Sequence, residues 1–358
     1  MAARVMVMAG GTGGHVFPAL AVAQELRQRG CDVSWLGTPH SFEARLVPQY
    51  GFAMDWVDAR RLRGQGLSGL VLAPYRLLRA MLQAWRVLRR RRPQVVLGMG
   101  GFVTGPGGLV SRLLGRPLVI HEQNAIPGLT NQWLARLATR VLEAFPGSFP
   151  AARHAVATGN PVRAEISALA SPEQRFAARQ GPCRLLILGG SLGAAALNEK
   201  VPEALSLLAP ERRPQVRHQA GRDKAEATRS AYVAAGVDAD VSDFLHDMAE
   251  AYAWADLVVC RAGALTVCEL AATGVGAVLV PYPHAVDDHQ TRNARYLTEA
   301  GAGHLLPQPQ LTAQGLADLL GQLCADRAGL LDMARAARRL ARPDAATRVA
   351  DICMEVAA

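Results

Sequence analysis

Short apolar runs that end in glycine-rich or polar loops, each followed by a stretch of helical spacing, recur from one end of the chain to the other. This βα alternation dictates parallel sheets with helices on both faces, because a parallel strand needs a crossover long enough to hold a helix. In the first half, residues 5–9, 32–36, 95–98 and 118–121 read as strands, with helices at 16–29 and 67–89. In the second half, strands at 184–188, 216–219, 257–260 and 276–280 precede helices that begin near Ala194, Asp223, Leu265 and Asp288. Two doubly wound α/β domains follow from this pattern and from a length of 358 residues.

Gly159-Asn160-Pro161 follows a strand-like 155–157 and precedes a polar helix at 171–179, so the junction is expected near 160–167. The expected domains are 1–162 and 163–342. Residues 326–358 are helical in pattern and broken at Pro343, and 343–358 are expected to form a helix able to pack back on the first domain.

Charge divides the chain. Up to Val162 there are 19 arginines against 7 carboxylates, whereas the remainder is slightly acidic. No carboxylate occurs between Asp58 and Glu122, a span that holds 12 arginines. Within it Leu67, Leu70, Val71, Tyr75, Leu78, Leu82 and Trp85 recur at roughly helical spacing beside Arg76, Arg79 and Arg86. An interfacial helix has this make-up, and an anionic leaflet offers about 1 kcal/mol per nearby arginine. The segment 60–92 is therefore expected to meet an anionic membrane surface. Nucleic acid is the weaker partner, because only Tyr75 and Trp85 could stack on bases.

The six cysteines form no CxxC pair, which argues for free thiols in a reducing compartment and against a zinc site. The amino terminus runs straight into an apolar strand without a signal-peptide pattern. The uncharged stretch 93–111 carries too many glycines and prolines to span a bilayer. Asp238-Ala239-Asp240 has the spacing of a metal-diphosphate motif but precedes a strand, and reads as a solvated turn. Asp287-Asp288-His289 lacks partner ligands, so no metal site is expected.

Chemistry is expected where strands end. Residues 5–9 run into Gly10-Gly11-Thr12-Gly13-Gly14-His15, a loop whose amides could approach an anion at a helix amino terminus. It is not the dinucleotide fingerprint, since Val16 stands where the third glycine belongs. The loop 100–108 and His121-Glu122-Gln123-Asn124 follow two further strands of the same domain, and this polar clustering points to a substrate site. In the second domain Gly189-Gly190-Ser191-Leu192-Gly193-Ala194 could hold a diphosphate. Glu269 is expected on the first turn of a helix, as a charge partner of the helix end or as an acceptor for ribose hydroxyls.

Taken together, GGTGGH (10–15), GFVTGPGG (101–108), HEQN (121–124), GNPVR (159–163), GGSLGA (189–194) and GALTVCE (263–269) resemble, in order, the motifs of the MurG family of N-acetylglucosaminyltransferases. The resemblance implies a GT-B fold of two Rossmann-like domains with the active site in the cleft. It implies inverting transfer from UDP-GlcNAc to the 4-hydroxyl of the muramoyl sugar of lipid I, by a peripheral enzyme on the cytoplasmic face of the inner membrane.

Carried over, Arg163 and Ser191 would contact the UDP end, and Leu245 would stand in the loop before the uracil, where the family usually has Ile. Ala264, Leu265 and Thr266, continuing through Val267 and Cys268, would line the diphosphate and uracil region, and Glu269 would hold the ribose. Gln290, with Thr12, Gly13, Gly14 and Asn124, would contact the GlcNAc or its diphosphate. His289-Gln290 stands where a Gln-Gln pair is expected.

Inversion needs a base for the acceptor hydroxyl. His15 is the first candidate, because an imidazole pKa near 6.5 suits neutral pH, with Glu122 and His121 as rivals. Preorganised amides would stabilise the departing diphosphate, with no cofactor and no strict metal requirement. Another GT-B enzyme using UDP-GlcNAc, including a 2-epimerase, is the alternative enzyme, and a non-catalytic nucleotide-sugar or RNA-binding module is the alternative outside catalysis.

Overall fold

The computed structural model describes residues 2–59, 66–190 and 193–358, with the side chains of 66–71 and 286 also left aside. Arg60, Arg61, Arg63, Leu67, Leu70, Val71 and Ser191 therefore lie, wholly or in their side chains, outside the described residues.

The chain forms two compact units, Met1–Arg163 with Arg342–Ala358, and Ala164–Ala341. The first contains β1 (Arg4–Met8), β2 (Asp32–Gly37), β3 (Ala53–Trp56), β4 (Val95–Gly98), β5 (Leu118–Glu122), β6 (Arg140–Glu143) and β7 (Val156–Ala157), in the sheet order β3-β2-β1-β4-β5-β6-β7. Every pairing is parallel, with Val5 opposite both Val33 and Val95. The alternation of β1 explains the core: Val5 and Val7 enter one hydrophobic cluster, while Met6 and Met8 enter the cluster on the opposite face. Val349, Ala350 and Cys353 of the last helix, Ala345–Ala357, join the first cluster beside Val16, Ala19 and Ala23 of the helix Gly13–Gln28. Arg29 pairs with Asp351 at the rim of that contact.

The second unit contains β8 (Arg184–Leu188), β9 (Gln215–Gln219), β10 (Asp240–Ser242), β11 (Leu257–Cys260), β12 (Gly276–Leu279) and β13 (Gly303–Leu305), ordered β10-β9-β8-β11-β12-β13 and all parallel. Each sheet reverses its order beside its first strand, between β1 and β4 and between β8 and β11. These are the points where open α/β sheets leave a crevice for ligands. The turns at 10–12 and 100–103 leave the carboxyl ends of one such strand pair, where the helices Gly13–Gln28 and Thr104–Leu113 begin, and those at 189–190 and 261–263 leave the other.

Candidate functional site

In the first unit, the carboxyl ends of β1, β4, β5 and β7 bring the expected residues together. The helix Gly13–Gln28 begins inside the glycine loop, three residues before the expected start at Val16. Glycine is a poor helix former, but anchoring of the loop overrides that preference. Gly11 N–H and Thr38 N–H each donate at 3.0 Å to the carboxylate of the fully buried Glu43, and Trp35 Nε1 donates to the Ala9 carbonyl. The Thr12 side chain makes no capping hydrogen bond and the first turn carries no acidic residue, so the amino end of this helix keeps its affinity for an anion. Sequence reasoning passed over Glu43, and nothing in its local pattern marks it as the staple of a loop 32 residues away.

The second glycine loop interlocks with the first. Gly10 N–H donates to the Gly100 carbonyl at 3.3 Å. Gly100 has φ +97°, and a Cβ there would stand 2.6 Å from His15 Nδ1, so the imidazole lies directly against the glycine backbone. His15 is half-buried.

The HEQN segment sorts into unequal roles. Glu122 is buried and saturated: its carboxylate accepts from Asn124 N–H at 2.9 Å, Asn124 Nδ2 at 3.1 Å, Gly128 N–H at 3.1 Å and Asn131 Nδ2 at 2.9 Å. Its oxygens hold the turn after β5, which corrects the expectation that it could serve as a base. His121 is also corrected as a base, because it is fully buried with both ring nitrogens engaged. Its Nε2 lies 3.0 Å from the Gly159 carbonyl and its Nδ1 3.1 Å from Gln123 Nε2, and burial pushes its pKa down to about 4. Gln123, quoted in the motif but given no role, reaches His15: its Oε1 lies 2.8 Å from His15 Nδ1. Asn124 is half-buried, with its carbonyl accepting from Ser148 Oγ. The Arg163 guanidinium sits 4.9 Å from the centre of the Phe17 ring.

In the second unit, the helix Ala264–Thr273 starts from Gly263 without a side-chain cap or an acidic residue in its first turn. Its amino end, with half-buried Leu265 and Thr266 and buried Ala264, is left to an anion. Glu269 is not on that first turn. It is the sixth residue of the helix, is buried, and accepts from Tyr252 Oη at 3.0 Å, so the expected role of partner to the helix end does not apply. Val267 is corrected as well: its side chain is fully buried and its N–H donates to the Gly263 carbonyl, leaving nothing for a ligand. Cys268 is half-buried.

Leu245 is half-buried in the loop after β10, beside Phe244, which is exposed and stacks edge-on against His246. Gln290 lies in the first turn of the helix His289–Thr298, and its Oε1 accepts from Tyr282 N–H at 2.9 Å. The aspartates 238 and 240 are exposed, the latter opening β10. No cluster of three metal-ligating side chains occurs among the described residues.

The basic segment folds as the helix Gly66–Arg91. Ala80, Ala84, Val87 and Leu88 face the core, while Leu72, Tyr75, Leu78 and Leu82 are exposed along another side. The exposed side is thus apolar rather than simply solvated and basic. One expectation changes: although its own stretch lacks carboxylates, the fold brings Asp55 against Arg90 and Arg91, the latter at 2.7 Å, and Asp58 to 3.8 Å from Arg79. Arg86 and Arg89 are exposed beside the apolar stripe. No helix among the described residues is long and apolar enough to cross a membrane.

The two Rossmann-like units and their paired glycine loops define a GT-B type glycosyltransferase fold. The chain belongs to glycosyltransferase family 28, whose N-terminal domain matches residues 5–143 and whose C-terminal domain matches residues 184–349. It is 58% identical over 357 residues, all of this chain and 99% of the relative, to the UDP-N-acetylglucosamine--N-acetylmuramyl-(pentapeptide) pyrophosphoryl-undecaprenol N-acetylglucosamine transferase of Nitrosococcus oceani. The enzyme of the same name from Marinobacter nauticus is 56% identical over 99% of this chain and 98% of its own length. Among solved structures, Acinetobacter baumannii MurG superposes with a TM-score of 0.84 at 44% identity, covering 99% of both chains.

Proposed function

We propose that this chain transfers N-acetylglucosamine from UDP-N-acetylglucosamine to the 4-hydroxyl of the muramoyl sugar in the undecaprenyl-linked precursor lipid I, giving lipid II and UDP. The observation that carries this is the 56–58% identity, over essentially the whole chain, to transferases named for that reaction. A 2-epimerase would need no lipid acceptor, and it leaves the exposed apolar and basic helix without a purpose.

The reaction is one displacement. The acceptor O4 loses its proton as its bond to the anomeric carbon forms, the bond to the diphosphate oxygen breaks, and the electron pair leaves with UDP. His15 is the base in this reading, supported by its place at the carboxyl end of β1 and by its partial exposure, where His121 and Glu122 are buried and engaged.

The second unit takes the donor. Ser191, Leu245 and residues 264–266 line the uridine and diphosphate, Cys268 stands nearby, Glu269 receives the ribose and Gln290 the sugar. Thr12, Gly13, Gly14 and Asn124 face the GlcNAc or its diphosphate, and Arg163 assists the leaving group. The uncapped amino ends of Gly13–Gln28 and Ala264–Thr273 support stabilisation of the departing charge by amides, so no metal or cofactor is required.

The chain works at the cytoplasmic face of the inner membrane. Leu72, Tyr75, Leu78 and Leu82 enter the interface, with Arg86 and Arg89 on anionic headgroups. The test is UDP release from UDP-GlcNAc with and without a short-chain lipid I analogue, in buffer containing EDTA. Acceptor-dependent release is expected, and release that ignores the acceptor contradicts the transferase reading.

A further inference from the structure

We propose that Gln123 and His121 are positioning residues that hold His15 in the Nδ1–H tautomer, so that Nε2 presents its lone pair to the acceptor hydroxyl. The inference rests on the reading of His15 as the base, and adds how that base is kept ready.

The argument follows from which atoms can only accept. The Gly159 carbonyl, 3.0 Å from His121 Nε2, cannot donate, so the proton of His121 is on Nε2. His121 is fully buried and stays neutral, which leaves its Nδ1 as an acceptor. Gln123 must then direct its amide nitrogen at that Nδ1, 3.1 Å away.

A second acceptor works with the first to set the amide, because the same Nε2 donates to the His121 carbonyl, also at 3.1 Å. Flipping the amide would set its oxygen against two acceptors. The Gln123 oxygen therefore faces His15 Nδ1 at 2.8 Å, and that nitrogen must carry the hydrogen. Gly100 closes the other side: with φ +97° and no Cβ, its backbone lies where any side chain would strike the imidazole.

The chain of hydrogen bonds thus runs Gly159 carbonyl, His121, Gln123, His15, joining the segment after β7 to the end of β5 and the first turn of the helix Gly13–Gln28. Gln123 is as deeply buried as His121, so water cannot replace it in this chain. Only the last member is partly exposed, and it is the one with chemistry to perform.

The test uses the full-length protein with 15N-labelled histidine at neutral pH, reading the protonation of both His15 ring nitrogens by NMR alongside kcat and the KM for UDP-GlcNAc. Wild type is expected to show His15 protonated at Nδ1 and bare at Nε2. Gln123→Met, near-isosteric but unable to bond, is expected to move a large share of His15 to the Nε2–H form. It should lower kcat by at least about tenfold, up to the 10²–10⁴-fold that a general base supplies, with KM for UDP-GlcNAc within about twofold.

Should that variant not fold, the pair His121→Asn and His121→Leu decides. Asn keeps an acceptor oxygen near the Nδ1 position and is expected to retain the wild-type tautomer, whereas Leu leaves only the residue-121 carbonyl to orient the Gln123 amide and is expected to move part of His15 to the Nε2–H form. A wild-type His15 protonated at Nε2, or a tautomer and kcat unmoved in Gln123→Met or His121→Leu, would overturn the proposal. Full activity of His15→Ala would instead sink the base assignment, a result separate from the tautomer reading because the NMR signal does not depend on turnover.

Discussion

The two units share a sheet order through their first six strands, yet they furnish their ligand edges in different ways. The edge of the first unit is built from buried polar side chains: Glu43 holds the first glycine loop, Glu122 and Asn131 hold the turn after β5, and His121 bonds Gln123, which reaches His15. The edge of the second relies on backbone, on the glycine loop after β8 and the uncapped start of Ala264–Thr273, with Glu269 and Tyr252 as its buried polar pair. A proton acceptor must be oriented to a fraction of an ångström, and that takes a supporting shell. A diphosphate can be met by amides that the fold already provides.

Breaking the first network should therefore do the most damage to folding. Glu122→Ala would leave four donors without their acceptor, the side-chain amides of Asn124 and Asn131 and the N–H groups of Asn124 and Gly128, a loss of about 3 kcal/mol in urea-unfolding stability. A change below about 1 kcal/mol would show that the turn is held by something else.

Acid should strike both units alike. His121 in the first and His218 in the second are held neutral by burial, at about 4 and about 3. The unfolded chain takes up these protons near pH 6.5, so stability falls as pH drops from 6.5 towards 4, by about 1.4 kcal/mol per pH unit for each histidine. Urea midpoints at pH 7, 5.5 and 4.5 measure this, and a midpoint that does not move over that range would remove the claim of two buried neutral histidines.

Glu269→Ala sharpens the contrast in function. It should raise KM for UDP-GlcNAc by about tenfold with little change in KM for the acceptor if its carboxylate receives the ribose, as proposed. A reversed split would reassign it. The smallest effect belongs to the helix proposed to meet the membrane surface: Arg86→Gln should lower partition onto vesicles rich in anionic lipid by about fivefold and leave neutral vesicles unaffected.

Much of this architecture is legible in the sequence. Eight of the strands were visible because parallel strands buried on both faces are nearly continuous apolar runs, as in the LVVC of β11, and β7 was visible as the strand-like 155–157. The strands at Ala53–Trp56, Arg140–Glu143 and Gly303–Leu305 were not, because they are short and lie at or next to a sheet edge, where one side needs no apolar cover; Asp240–Ser242 was expected only as the strand after the aspartate pair.

The site motifs were legible as strand-end loops, but the division of labour within HEQN was not. Nothing in four consecutive polar letters says that the glutamate binds its own turn, that the histidine is sealed in, and that the glutamine reaches a histidine 108 residues earlier. Those roles are set by strand register and by the turn after β5. The carboxylate-free stretch misled in a similar way, because Asp55 lies just before it in sequence yet folds against its last turn.

The most direct test of the central claim, a first unit that supplies the base and a second that holds the nucleotide, is a paired measurement on His15→Ala. UDP binding by calorimetry should match wild type, while acceptor-dependent UDP release from UDP-GlcNAc falls by at least about 10²-fold. Release that survives with binding intact would contradict the assignment of the base to the first unit's histidine, and loss of UDP binding would contradict the division between the two units.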